Sequence, residues 1–99
     1  MNTFTKQPAE QYIIAIEFSG KLPTGSSLST GIVSAIDRAD DSDMAATILG
    51  STTATISGTQ AKVQVKAGIA GKLYKITFLI TLDTGEKLEE DILLVINDI

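Results

Sequence analysis

Tyr74-Lys-Ile-Thr-Phe-Leu-Ile-Thr-Leu82 and Lys87-Leu-Glu-Glu-Asp-Ile-Leu-Leu-Val-Ile96, joined by Asp83-Thr-Gly-Glu86, decide how this chain folds. In the first run Tyr74, Ile76, Phe78, Ile80 and Leu82 occupy every second position, with Lys75, Thr77, Leu79 and Thr81 between them. A period of two puts those sets on opposite faces of a strand, whereas a helix repeats every 3.6 residues. Gly85 can take the positive φ that a tight hairpin requires. The second run returns with Leu88, Ile92, Leu94 and Ile96 on the core side, where Glu90 is a break near the turn. Leu93 and Val95 face the other way.

Working upstream, Gln60 to Ala67 alternates Ala61, Val63, Val65 and Ala67 inward with Lys62, Gln64 and Lys66 outward, the pattern of a sheet with one dry face. Ser51 to Ile56 reads as a threonine-rich strand, and Ser57-Gly58 as a turn. Met44 to Leu49 satisfies neither the strand nor the helix template. A strand is expected over Leu28 to Asp37, with Ile32 and Ile36 on one face and Val33 and Ala35 on the other. Another is expected over Gln11 to Phe18, with Tyr12, Ile14, Ile16 and Phe18 sharing a face. Residues 1–9, with Pro8 near their end, read as a flexible arm ahead of a single domain over 10–99. Thirteen isoleucines, 12 threonines and four valines make 29 β-branched residues in 99, which favours pleated structure. About seven strands broken by glycine-, serine- and aspartate-rich turns predict an all-β sandwich, because one sheet cannot bury its own apolar face. A small Greek-key barrel is the alternative.

The 99 residues carry 8 basic and 12 acidic side chains, no histidine and no cysteine, for a net charge of -4. A domain of this size buries roughly 60–65% of its unfolded surface, enough for one core. Disulfides, thiolate nucleophiles, cysteine-ligated metals and the histidine proton shuttle are all excluded. The single arginine, Arg38, sits among aspartates and the lysines are scattered, so no basic face for nucleic acid is expected. No run approaches 18 apolar residues, and no membrane partner is expected. The opening residues lack a signal-peptide pattern, and a reducing compartment is the expected one.

Gly68-Ile-Ala-Gly-Lys-Leu-Tyr74, continued through Ile76-Thr-Phe-Leu-Ile-Thr-Leu-Asp-Thr-Gly-Glu86 to Ile92-Leu-Leu-Val95, resembles small immunoglobulin-like proteins of tailed bacteriophages and prophages, including the fiber–tail adaptor proteins. Further points of likeness are Leu22-Pro-Thr-Gly25, Ala70-Gly71, Tyr74, Thr81 or Thr84 with Gly85, and Glu89-Glu90-Asp91. The likeness covers roughly residues 10–97. Relatives often carry a tryptophan near the second strand, where this chain has Ile32, Val33 and Ile36. The resemblance implies an immunoglobulin-like β-sandwich of about seven antiparallel strands and a non-enzymatic structural or adaptor role in a tail or head–tail module. Other phage or prophage structural proteins would be the partners, with homo-oligomerisation as one option. The location would be the virion, after assembly in the bacterial cytoplasm. No catalytic residue and no cofactor carries over.

Three groups of residues merit testing as sites. Asp37, Asp40, Asp41 and Asp43 form the densest polar cluster, readable as the start of a calcium shell or as a solvated turn whose carboxylates bind backbone. The calcium reading belongs to the alternative function, a β-sandwich module recognising carbohydrate or a host surface. Glu86, Glu89, Glu90 and Asp91 lack the cleft that paired catalytic carboxylates need. Leu79, Leu93 and Val95 are apolar on a face that a lone sandwich leaves wet, and are the candidates for protein contact. Tyr74 is expected to be structural, its hydroxyl bonding back to the backbone at a corner.

Overall fold

The side-chain alternation of the last hairpin is realised in β6 (Leu73–Leu82) and β7 (Lys87–Ile96) of a computed structural model that describes residues 2–97. Ahead of them come β1 (Asn2–Lys6), β2 (Tyr12–Glu17), β3 (Leu28–Asp37), the single helical turn α1 (Ala45–Ile48), β4 (Thr55–Ser57) and β5 (Gln60–Val65). They form two sheets, one of four strands in the order β1-β7-β6-β3 and one of three in the order β2-β5-β4. The sheets pack face to face as a sandwich.

β6 is the centre of the larger sheet, and Tyr74, Ile76, Phe78, Ile80 and Leu82 all point into the core, shut off from water. Val33 and Ala35 of β3 and Ile92, Leu94 and Ile96 of β7 extend that layer on either side. Ile14, Ile16 and Phe18 with Ala61, Val63 and Val65 supply the opposing one. The hairpin closes at Leu82, whose N–H donates to Glu86 C=O at 2.8 Å, with Gly85 at φ 91°.

Three expectations are corrected. The flexible arm over 1–9 is an ordered strand across residues 2–6, in register with β7 from Asn2↔Ile92 to Lys6↔Ile96. Phe4 packs against the core, and Lys6 is 1% exposed, its Nζ donating to the carbonyls of Gln7 at 2.6 Å and Pro8 at 3.1 Å. Burial pushes the Lys6 pKa down, with Glu10 opposing that shift. Secondly, the β1–β7 pairing is parallel, so the strands are not all antiparallel. Thirdly, β5 stops at Val65; Ala67, expected inward, is exposed at φ 51°. Met44 to Leu49, which fitted neither template, contains a single helical turn that drops Ile48 and Leu49 into the core. Within Ser51 to Ile56, regular pairing begins only at Thr55, where β4 starts.

The strip between α1 and β4 lies along the outer edge of β3. Val33 N–H donates to Thr52 C=O at 2.8 Å and Ala54 N–H to Gly31 C=O at 2.9 Å. That approach depends on glycine, because a Cβ at position 31 would lie 2.6 Å from Ile80 Cδ1 and 3.0 Å from Ala54 Cβ. Gly31→Val is expected to lower stability by about 1–3 kcal/mol through overpacking. Phe78→Ala should cost about 3–5 kcal/mol. Thermal or urea denaturation followed by circular dichroism checks both.

Candidate interaction surface

The outer face of the four-stranded sheet follows from the strand registers. Val95 lies between Thr5 and Leu73, and Leu93 between Thr3 and Lys75, with Ile36 opposite Lys75. The next row is polar: Ser34, Thr77 and Asp91, in which Thr77 Oγ1 donates to Asp91 Oδ1 at 2.7 Å. Beyond it Leu79 stands between Ile32 and Glu89. Leu93 and Val95 are therefore neighbours, whereas Leu79 is displaced along the strands by about 13 Å, the rise of four residues. All three are half-buried. The most open apolar side chains beside them are Ile32, 63% exposed, and Leu73, 41% exposed. The alternation rule already put Ile32 opposite Val33, and it extends one residue back from Tyr74 to Leu73. Those two complete what the sequence reading left out of this face.

The acidic loop is held by its own backbone and one lysine. Asp37, buried at the end of β3, accepts from Ala39 N–H at 2.9 Å and from Lys72 Nζ at 3.0 Å. Those two donors hold its pKa below the ordinary 3.8, the Ala39 bond contributing most. Asp40 accepts from the hydroxyl and the N–H of Ser42, at 2.7 and 3.0 Å, which likewise lowers its pKa. Asp43 accepts from Ala45 N–H at 3.0 Å at the start of α1, and Asp41 adopts φ 59°. Asp37, Asp40 and Asp43 are thus engaged separately, and among the described residues no group of donors converges on a metal position. A concavity of about 360 Å³ beside the loop is lined by Asp37, Arg38, Ala39, Gly71, Lys72 and Leu73.

In the last hairpin, Glu90 points inward opposite Phe78 and forms an ion pair with Lys21, tying the β2–β3 loop across the open end of the core. Glu89 and Asp91 lie on the outer face with Leu93 and Val95, and Glu86 accepts from the Thr84 hydroxyl at 3.2 Å. These carboxylates share no cleft. Tyr74 is buried, and its hydroxyl accepts from Ile69 N–H at 3.3 Å, spanning the turn between β5 and β6. Phe18 and Phe78 are also buried, which leaves Phe4 and Tyr12 as the half-buried aromatics.

In comparison with known proteins, one family model, described as the podophage GP4 fiber-tail adaptor protein gp77, matches residues 6–95. The chain belongs to this family. Among curated proteins nothing matches it. The match to the podophage adaptor family runs from the last residue of β1 to the penultimate residue of β7, so it takes in both sheets, the acidic loop and the outer face.

Two outcomes follow for the polar contacts. Tyr74→Phe removes the acceptor of the Ile69 N–H and should cost about 0.5–1.5 kcal/mol in denaturant unfolding. Asp37 has its pKa lowered on folding, so it stabilises the protein above pH 3.8 and that contribution fades as pH falls through the lower folded value. Lys72, raised by the same pair, contributes below 10.5 and loses its effect as pH climbs past its folded value. The Asp37–Lys72 contribution is thus present between those limits. Asp37→Asn should flatten the acid limb of a melting-temperature profile against pH.

Proposed function

We propose that the protein is a non-enzymatic adaptor of a podophage tail or head–tail module, a single immunoglobulin-like domain that works by holding other virion structural proteins. The observation that carries this reading is the family match over residues 6–95, which embraces the sandwich and not a local motif. The immunoglobulin-like assignment is supported by a three-stranded sheet β2-β5-β4 packed on β1-β7-β6-β3, with a parallel first strand on the edge of the larger sheet. The contact face is Leu93 and Val95 with Leu73, flanked by Thr3, Thr5 and Lys75; Leu79 and Ile32 form a second apolar point beyond the Ser34-Thr77-Asp91 row. The virion is its location, reached by assembly in the bacterial cytoplasm.

The carbohydrate-binding alternative gains less from the same geometry. Sugar recognition commonly uses an open aromatic face, and Tyr74, Phe18 and Phe78 are enclosed in the core. A calcium-assisted version needs the loop aspartates to release the backbone and lysine contacts described above.

Mass spectrometry of purified phage particles tests the adaptor reading. The protein is expected at a fixed ratio to the tail subunits. The Leu93→Lys/Val95→Lys double variant should remain folded by circular dichroism yet be lost from particles. Absence of the unmodified protein from intact particles overturns the reading, and normal incorporation of the folded double variant overturns the contact face.

A further inference from the structure

β2 is one of the two outer strands of the three-stranded sheet, and the bonds around it fix where its backbone points. Phe18 N–H donates to Thr59 C=O at 2.9 Å, and the pairs Ile16↔Ala61, Ile14↔Val63 and Tyr12↔Val65 continue the same alternation. On β5, the Gln64 carbonyl accepts from Gly50 and the Lys66 N–H donates to Ile48, both at 2.8 Å, so its even-numbered groups face away from β2. The even-numbered groups of β2 therefore serve the ladder, and the N–H and C=O groups of Ile13, Ala15 and Glu17 point out from the sheet.

The other sheet edges are short or covered. β3 is overlaid by Thr52–Ala54 and by Ser42–Met44, whose backbones bond to Val33, Gly31, Asp37 and Ala35. β4 has three residues and β1 has five, and the Thr5 carbonyl of β1 accepts from the Tyr12 hydroxyl at 3.0 Å. β2 has no proline, no lysine and an unbroken register with β5. Natural sheets protect such edges because an open ladder templates another strand. Ile13, at 64% exposure, adds an open apolar side chain on this same strand.

We propose that β2 pairs antiparallel with β2 of a second copy of this chain, joining two three-stranded sheets into one of six strands. A twofold axis at Ile14 sets Ile13 opposite Ala15 of the second copy, both with outward backbone groups, and Tyr12 opposite Ile16. Charge permits this register: Glu17 falls opposite Gln11, and Glu10 opposite Phe18, so no carboxylate faces another in a chain of net charge -4. Centring the axis on Ala15 instead sets the apolar Ile13 against Glu17. The pairing covers Ile13 and leaves the outer face of the larger sheet free, so it is independent of whether that face binds a tail protein.

Sedimentation equilibrium of the full chain, with amide hydrogen exchange on the same samples, tests the pairing. A dimer is expected in the micromolar range, with the Ile13 and Ala15 amides protected. Ala15→Pro removes an N–H that serves no bond within the subunit, so the β2–β5 ladder survives and the dimer dissociates. Ile13→Lys leaves the backbone unchanged and should raise the dissociation constant roughly tenfold or more. Circular dichroism confirms that each variant is folded. A monomer throughout that range, or a dimer that keeps its affinity in the folded variants or exchanges freely at Ile13 and Ala15, overturns the proposal. Presence of the protein in virions is unaffected by any of these results, so the adaptor reading stands or falls separately.

Discussion

The burial of one side of β6 is the constraint on which the remaining structure depends. Each large apolar side chain taken fully out of water contributes about 1.5–3 kcal/mol, and Tyr74, Ile76, Phe78, Ile80 and Leu82 are enclosed in a single unbroken row. Ordering the backbone costs roughly 1–2 kcal/mol per residue, so the row is stabilising only when its neighbours are in place as well. β3 and β7 satisfy the backbone on either side, while Ile14, Ile16 and Phe18 with Val63 and Val65 close the opposite wall. The chain consequently folds around its penultimate strand, and the loops adapt to it. Gly31 is an example: its missing side chain lets a loop lie over β3 where Ile80 fills the space beneath.

Most of this organisation was legible where side chains alternate. The bounds of β3 and β7 and the inward set of β6 follow directly from period-two patterning, since water enforces it on a half-buried sheet. The pattern is silent where burial is partial. Asn2 to Lys6 holds one aromatic among threonines and ends in a lysine, a composition that reads as solvent-facing until β7 supplies a backbone ladder and the Lys6 amine finds two carbonyls. Parallel pairing leaves no local turn signal, because the partners are at opposite ends of the sequence. Met44 to Leu49 was ambiguous for a different reason: a single helical turn is too short to show a helical period.

The candidate surface was partly visible for the same physical cause. Leu93 and Val95 stand out as apolar residues on the wrong side of an otherwise amphipathic strand, and the registers bring them together. Leu79 shares their face but not their neighbourhood, and distance along a strand pair emerges only once the pairing is known. The aspartates illustrate the converse. Their density in the sequence left a shared site and a solvated turn both open; in three dimensions Asp37, Asp40 and Asp43 each accept from a different stretch of backbone. The family match over residues 6–95 takes in this face and this loop together.

The parallel union of β1 and β7 has a mechanical side. Tension applied along the strand axis, drawing the start of β1 away from the end of β7, loads the registered pairs from Asn2↔Ile92 to Lys6↔Ile96 together. Such shear must slide the whole ladder at once, whereas an antiparallel hairpin pulled at its open ends unzips one rung after another. The first and last described strands are thus arranged as a clamp, loaded in shear by tension along their shared axis.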